Sequence, residues 1–350
     1  MTEATSAAKA PIAPETSAPG TAGPSGPPPG LGARILARPE LMIFGSLVII
    51  VAIFIAMNPT AFLSPINLRN IAVEASMMII LAVGMTYVII TGGIDLSVGA
   101  ILVFSSVCSL LAMRWVGSDT AIAPVVGLAV SLGSAAVWGV VNGLFIARTK
   151  LNPLIVTLAT MGIAMGAARL LSGGVDLTGV PKVLIDEVGI GRVHGVPVLV
   201  IIAAVFAIVA GVVLHRTRFG LYTYAIGSNE QGARRAGLSV DRHLVMVYVI
   251  SAVCAGLAGY FSLSRFASTT IAGHGTDNLK AITAVVLGGT SLFGGSGTLF
   301  GTTAGVFIPV VLAAGLVIIG LPSFWQEVAV GIVLLIAILL DQMRRKSGSR

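Results

Sequence analysis

The stretch from Ile71 to Thr91 reads Ile-Ala-Val-Glu-Ala-Ser-Met-Met-Ile-Ile-Leu-Ala-Val-Gly-Met-Thr-Tyr-Val-Ile-Ile-Thr and carries a single charge, at Glu74. A helix needs about 20 apolar residues to cross a hydrocarbon core about 30 Å thick, and this stretch has that length. It is followed by Gly92-Gly93, which end the apolar run. The stretch therefore predicts a transmembrane helix and a fold built inside a lipid bilayer.

Similar apolar runs recur along the chain. They lie at about 41–57, 71–91, 98–115, 122–146, 153–171, 196–214, 244–264, 279–293, 298–319 and 324–341. Charged residues make up only 10% of the chain, whereas a soluble protein carries roughly 25%. We therefore predict an all-α polytopic membrane protein of about ten transmembrane helices. The run 279–293 is short and begins at charged residues, so a half-span or re-entrant segment is the alternative there.

The basic residues indicate the orientation. The net charge is +7, but the lysines and arginines are scattered between apolar runs without interleaved aromatic residues, which argues against binding to nucleic acid. With ten spans, about two thirds of the 21 lysines and arginines fall on the side of the N-terminus. Because cytoplasmic loops carry an excess of these residues, we predict that both termini are cytoplasmic. Nine spans would place Arg344-Arg345-Lys346 outside, against this rule.

The chain is expected to contain one domain with two tails. Residues 1–33 are rich in Pro, Ala and Gly and predict a disordered cytoplasmic tail, while residues 34–345 form the transmembrane domain and 346–350 a second short tail. Cys108 and Cys254 lie in apolar stretches, and the four histidines have no ligand spacing, so no disulfide or metal site is predicted. No phosphate-binding loop of the form Gly-x-x-x-x-Gly-Lys-Ser/Thr is present, so no nucleotide cofactor is expected on this chain.

The segment 215–243 is predicted to be the largest cytoplasmic loop, and it contains a short helix. Ser228 is a plausible N-cap with Gln231 completing a capping box, and Gly237 can close the helix in the left-handed conformation. The acidic and basic residues lie at the ends that the helix dipole favours. Such a helix is marginal alone, so it either docks on a partner or lies on its own bundle or on lipid headgroups. The residues concerned are Ser228, Asn229, Glu230, Ala233, Arg234, Arg235 and Gly237.

A carboxylate between two apolar runs is the second candidate. Asp95 is accompanied by Gly92, Gly93 and Ser97, and the predicted topology places it near the inner ends of the second and third spans. One interpretation is that Asp95 caps the following helix by accepting backbone N–H groups. The other is that it contacts a solute or acts in a gate. The first is favoured.

Neutral polar residues at or inside the spans are candidates for a solute path. Each of them has an alternative role in hydrogen bonding between helices. They are Thr91, Asn142, Asn152, Thr157, Thr160, Thr283 and Gln326. The charged residues near the span ends are expected to extend towards the membrane interface. These are Glu74, Arg169, Arg265, Asp277, Lys280 and Glu327.

Three motifs together resemble the ribose-type permeases of bacterial ABC importers. The motifs span Thr91–Gly99, Gly227–Gly237 and Ala281–Gly297, and the resemblance extends from about Arg38 to Arg345. The resemblance implies a channel of two permease chains, either identical or paralogous, in the bacterial plasma (inner) membrane. It also implies cytoplasmic ATP-binding subunits that use ATP and Mg, and an extracytoplasmic solute-binding protein. The segment from Glu230 to Gly237 matches the family's cytoplasmic coupling helix, although Gln231 and Gly232 depart from the Glu-Ala-Ala pattern of another importer class.

The function expected from this resemblance is transport of a small polar solute, such as a monosaccharide or polyol, and not catalysis. The branched-chain amino-acid permeases are a related alternative for the solute class. A carrier driven by an ion gradient is the alternative mechanism, and it would need ionisable groups at middle depth in the membrane. A membrane-embedded enzyme is disfavoured because the sequence has no His-Glu metal motif and no Gly-x-Ser-x-Gly elbow.

Overall fold

The computed structural model describes residues 39–118, 120–322 and 324–348, and these residues are predominantly helical. The tail predicted over residues 1–33 lies outside them. The helices are α1 (Pro39–Met57), α2 (Pro59–Phe62), α3 (Pro65–Ile90), α4 (Val98–Val116), α5 (Ala123–Thr149), α6 (Pro153–Ser172), α7 (Lys182–Leu184), α8 (Val198–Arg216), α9 (Arg218–Ser228), α10 (Glu230–Arg235), α11 (Val240–Phe266), α12 (Asp277–Leu287), α13 (Leu299–Ile318) and α14 (Phe324–Gly348). A π-helical turn, Ile185–Gly189, and an antiparallel pair, β1 (Arg192–Val193) and β2 (Val196–Pro197), lie between α7 and α8.

Each predicted apolar run contains a helix, which confirms the all-α polytopic class. Among the described residues, α3, α4, α5, α6, α8, α11 and α13 are long and apolar enough to cross a membrane. Shorter apolar segments lie in α1 and α14. The number of crossings and the cytoplasmic position of both termini stay predictions. Helix α14 continues to Gly348, into the segment 346–350 that was predicted as a tail.

Helix α3 is the centre of the bundle. In the most apolar 18-residue stretch of α3, 94% of the residues are buried, whereas only 17% are buried in the corresponding stretch of α8. Helix α3 packs closely on α11. A Cβ atom added at Gly84 would lie only 2.9 Å from the Cα atom of Ser251, so the two backbones leave no room for a larger residue there. Small residues permit such close approach between membrane helices, where dispersion contacts replace the hydrophobic effect as the driving force. Apolar side chains on α5, α6 and α8 that face away from this core are exposed, including Val137, Ile163 and Ile208.

Helix α12 is too short to cross a membrane alone. Its 11 residues rise about 16 Å, roughly half of a hydrocarbon core. Its C-cap is Gly288, where a Cβ atom would lie 2.6 Å from Gly301 at the start of α13, so α12 and α13 form a tight hairpin. The segment 279–293 is therefore a half-length helix followed by a glycine-rich loop, as the half-span alternative expected.

Candidate functional site

Helix α10 has the boundaries expected for a short helix, with one difference at its start. The N-cap is Asn229, whose side chain accepts a hydrogen bond from the Gly232 N–H at 2.8 Å. The prediction of Ser228 as N-cap is wrong, because Ser228 is the last residue of α9. At the other end Gly237 has a φ of +84°, and the Leu238 N–H donates to the Ala233 carbonyl at 3.1 Å. The helix therefore closes at glycine, as predicted.

Charged contacts fix α10 to the start of α11. The Arg234 guanidinium donates to Glu230 Oε1 from Nε at 3.0 Å and from Nη2 at 2.8 Å, and it also donates to Asp241 Oδ1 at 2.5 Å. The hydrogen bond to Asp241, and then that to Glu230, raise the pKa of Arg234 above its ordinary value. The guanidinium therefore stays charged at any physiological pH.

Only one face of α10 rests on the rest of the chain. Ala233 is buried against Ile226 and Val240, and Leu238 packs on the same small apolar cluster. The remainder of the helix is open, with Glu230 and Arg235 exposed. The helix thus presents one acidic and one basic side chain on a surface held rigidly by the residues beneath it.

Glycine residues from three separate segments meet beneath α10, at the glycine junction formed by residues 90–93, 227–228 and 294–297. The Gly295 N–H donates to the Ile90 carbonyl at 2.9 Å. A Cβ atom at Gly227 would lie 1.7 Å from that carbonyl oxygen. Next to the junction, the Tyr224 hydroxyl donates to the Gly297 carbonyl at 2.7 Å. The glycine junction therefore joins the end of α9 to the loop after α3 and to the loop after α12.

Asp95 is enclosed within the bundle and bonded to a neighbouring helix. It is fully buried, and its Oδ2 atom accepts a hydrogen bond at 2.9 Å from Ser251, near the middle of α11. Asp95 lies between the end of α3 and the start of α4, and its position near the inner ends of these spans in the membrane stays a prediction. The carboxylate also accepts from the Ser97 N–H at 3.0 Å and the Ser97 hydroxyl at 2.5 Å, and Ser97 in turn accepts from Asn142 at 2.9 Å.

The Asp95 carboxylate thus stabilises the start of α4 without being its N-cap, which is Ser97. Hydrogen bonds compensate part of the cost of burying its charge. A second helix begins at the same depth, since the Asn278 amide in the first turn of α12 donates to the Leu96 carbonyl at 3.1 Å. The N-termini of α4 and α12 therefore meet inside the bundle, an arrangement in which both helix dipoles favour negative charge nearby. Interrupted helices of this kind are common in transporters.

The structure does not bring the predicted solute-path residues together. The hydroxyls of Thr157, Thr160 and Thr283 are buried and donate to carbonyls of their own helices at 2.9, 3.1 and 2.7 Å. Asn142 belongs to the Asp95 cluster. Gln326 lines a different cleft, described below.

Thr91 and Asn152 do share a cavity. They line a cleft of about 320 Å³ together with Gly92, Gly93 and the α10 residues Glu230 and Arg234. Asn152 also caps α6, accepting from the Leu154 N–H at 2.9 Å. The cleft therefore connects α10 directly with the loop that leads to Asp95.

Charged residues at the other end of α11 form a network that the sequence did not suggest. Arg265 Nη1 donates to Glu74 Oε2 at 2.6 Å, and Lys280 Nζ donates to Asp277 Oδ1 at 3.0 Å. Asp277 is only 6% exposed, so it is buried within the bundle, and its placement near the membrane interface stays a prediction. No periodicity could have paired these residues, because Glu74 and Arg265 are 191 positions apart.

Comparison with known proteins assigns the chain to a family. Residues 67–338 match the family described as the permease component of the branched-chain amino acid transport system. This chain belongs to that permease family. The match extends from the first turn of α3 into α14.

The permease is also similar to several curated proteins over most of their length. It is 42% identical to the ribose import permease protein of Bacillus subtilis (strain 168), over 87% of this chain and 92% of that protein. It is 35% identical to the D-allose transport system permease protein of Escherichia coli (strain K12), over 87% and 91%. It is 34% identical to the fructose import permease protein of Rhizobium meliloti, over 81% and 80%. No solved structure matches.

These similarities define the permease as a transport subunit and not an enzyme. They agree with the resemblance carried by the three motifs, all of which contribute residues to the glycine junction. Within the described residues, no three His, Cys, Asp or Glu side chains converge as a set of metal ligands.

Replacing Asp95 with alanine is expected to destabilise the permease strongly. The substitution leaves the Ser97 N–H and the Ser97 and Ser251 hydroxyls without their acceptor, which we expect to cost about 3 kcal/mol or more. Thermal unfolding of the purified protein in detergent should show a lower midpoint. Ser251→Ala removes one donor and keeps the carboxylate bound to Ser97, so its midpoint should fall much less. Equal midpoints for the two variants would contradict the central role of Asp95.

Proposed function

We propose that this permease forms the membrane channel of an ATP-driven importer of a monosaccharide, in the bacterial plasma (inner) membrane. The observation that carries the proposal is the identity of 34–42% to permeases named for ribose, allose and fructose. These similarities extend over at least 80% of each of those proteins. The family description names branched-chain amino acids, so an amino-acid solute is the alternative at this point.

The partners proposed for this chain are those that its family implies, and exposed surfaces of the bundle are available to them. Cytoplasmic ATP-binding subunits, which use ATP and Mg, dock on the open face of α10 and contact Glu230 and Arg235. The exposed apolar faces of α5, α6 and α8 contact lipid and a second permease chain, which is either a copy or a paralogue. An extracytoplasmic binding protein delivers the solute at the opposite end of the bundle.

Energy is proposed to enter through α10 and to reach the interior through the glycine junction. Displacement of α10 is transmitted to residues 90–93, because they contact residues 227–228 without intervening side chains. These residues continue into the loop that carries Asp95 and the start of α4. For ATP to drive the change, the partner must bind α10 more tightly in one nucleotide state than in the other.

Asp95 also bears on the alternative of an ion-driven carrier, since it is an ionisable group buried inside the bundle. Its two oxygens already accept three hydrogen bonds, which gives it a structural role in the present arrangement. The relatives named above are import permeases, and this favours the ATP-driven mechanism.

The test is uptake by proteoliposomes that contain the permease together with the ATP-binding subunit and the solute-binding protein of the same importer. We expect uptake of one of D-ribose, D-allose or D-fructose, dependent on ATP supplied at the ATPase side and insensitive to a protonophore. L-leucine should not be taken up. Uptake without the ATPase subunit, or abolished by a protonophore at constant ATP, would establish the ion-driven alternative. Uptake of leucine alone would establish the amino-acid alternative.

A further inference from the structure

Three helices bring four charged side chains together at the end of the bundle remote from α10. Glu74 lies on α3, Arg265 in the last turn of α11, and Asp277 and Lys280 in the first turn of α12. Helix α11 begins beside α10 and runs to Arg265, so the cluster lies at the opposite end of a helix long enough to cross the membrane. If α10 faces the cytoplasm, the cluster faces the side from which a binding protein delivers solute.

The charges in this cluster are balanced. Glu74 pairs with Arg265 at 2.6 Å and Asp277 pairs with Lys280 at 3.0 Å. Asp277 also contacts His274, with 2.6 Å between Oδ2 and Nδ1. Two carboxylates and two cations thus leave no net charge for an ionic solute to neutralise. The cluster suits an uncharged solute that carries both donors and acceptors.

Two adjoining clefts open on these side chains. One has a volume of about 260 Å³ and is lined by Glu74, Arg265, Lys280 and Gln326, among others. The second has a volume of about 240 Å³ and is lined by Glu74, Lys280, Asp277, His274 and Phe266, among others. Glu74 and Lys280 line both, and the Glu74 side chain is 41% exposed despite its ion pair. Glu74 therefore has a free surface that faces both clefts.

The Glu74–Arg265 ion pair is only partly buried, with the Arg265 side chain 19% exposed and that of Glu74 more so. Ion pairs that water reaches contribute only about 0–1 kcal/mol to stability, so a purely structural role explains little here. Charged residues within membrane-spanning segments commonly mark substrate pathways. A carboxylate and two cations also provide strong hydrogen bonds to hydroxyl groups, and the ring of Phe266 adds an apolar surface.

We propose that Glu74, Arg265 and Lys280 form a contact site for the hydroxyl groups of a monosaccharide, which enters the permease through these two clefts. The proposal rests on the proposed function and specifies where within the chain the solute is first held. Glu74 is the central acceptor because it borders both clefts, and Arg265 and Lys280 donate on either side of it.

The test begins with Glu74→Gln in the reconstituted complex, using the labelled monosaccharide that the unaltered complex transports. Losing a charged acceptor for one hydroxyl is expected to lower uptake about tenfold or more at limiting solute. Glu187→Gln is the matched control, because Glu187 is exposed at the same end of the bundle and lines neither cleft. Its uptake should equal that of the unaltered complex. Co-purification with the ATPase subunit verifies that each variant is assembled.

A charge-swapped variant separates solute contact from a structural ion pair. Glu74→Arg combined with Arg265→Glu keeps the pair but exchanges donor and acceptor positions in the clefts. We expect the assembled double variant to remain at least tenfold impaired. Normal uptake by the double variant, or by Glu74→Gln, would overturn the proposal. If the unaltered complex transports no monosaccharide, the proposed function itself fails, and this outcome is distinct from the other two.

Discussion

Glu230→Arg is expected to abolish ATP-driven uptake while the permease still inserts into the membrane. Glu230 is exposed at the start of α10 and accepts two hydrogen bonds from Arg234. An arginine there would add a third cation to Arg234 and Arg235 and would place positive charge at the helix N-terminus, where the dipole disfavours it. The surface offered to a partner would change from mixed to wholly basic. We expect uptake to fall by at least about a hundredfold, because a reversed charge at an interface costs several kcal/mol.

Uptake in proteoliposomes measures the loss of transport in this variant. Co-purification with the ATPase subunit measures whether the altered surface still binds its partner. The control is Asp186→Arg, the same kind of charge reversal at an exposed residue of the π-helical turn before β1. Its uptake should stay close to that of the unaltered complex, because the turn packs near the far end of α11. If Glu230→Arg transports normally, α10 does not couple the ATPase to the channel.

Gly227→Ala is expected to block uptake without removing any contact of α10 itself. The added Cβ atom would lie 1.7 Å from the Ile90 oxygen and 2.7 Å from the Gly295 nitrogen, and both are backbone atoms. The end of α9 must therefore move away from the loop after α3. Overpacking of this kind costs typically 1–3 kcal/mol, and the displacement breaks the contact through which α10 reaches the Asp95 loop. We expect uptake to fall at least about tenfold.

Gly211→Ala is the matched control for this substitution. Gly211 also lies in a helix, and a Cβ atom there would have no neighbour within 4 Å. Alanine has the higher helix propensity at both positions, so the two variants differ in packing alone. Gly211→Ala should transport normally and have an unchanged or higher unfolding midpoint. Normal uptake by Gly227→Ala would show that the glycine junction does not transmit the movement.

The helices could be located from the sequence because their signals are local. The run from Ile71 to Thr91 predicted the C-terminal end of α3 to within one residue, whereas the helix begins six residues before the run, at Pro65. Gly237 was predicted to close α10 because no other residue takes the left-handed conformation so readily. The N-cap was predicted one residue early, since Ser228 and Asn229 are both good caps and the packing of α9 decided between them.

The burial of Asp95 inside the bundle could not be predicted from spacing. The prediction assumed that each apolar run crosses the bundle fully, which places the turn between two runs near its surface. In the structure the loop after α3 folds back into the interior, where Ser251 of α11 binds the carboxylate. Only the packing of α11 beside that loop reveals this, because Asp95 and Ser251 are 156 positions apart.

The sequence by itself determined that this protein is a bundle of membrane helices with a short charged helix between two of them. Hydrophobic length, caps and glycines act within a few residues, so they are visible along the chain. The tertiary structure alone decided which polar groups meet: the glycines beneath α10, the carboxylate of Asp95 with its serines, and the pairing of Glu74 with Arg265. Those contacts depend on how far each helix is shifted along its neighbours, and a shift of one turn moves a side chain by about 5 Å and changes its partners.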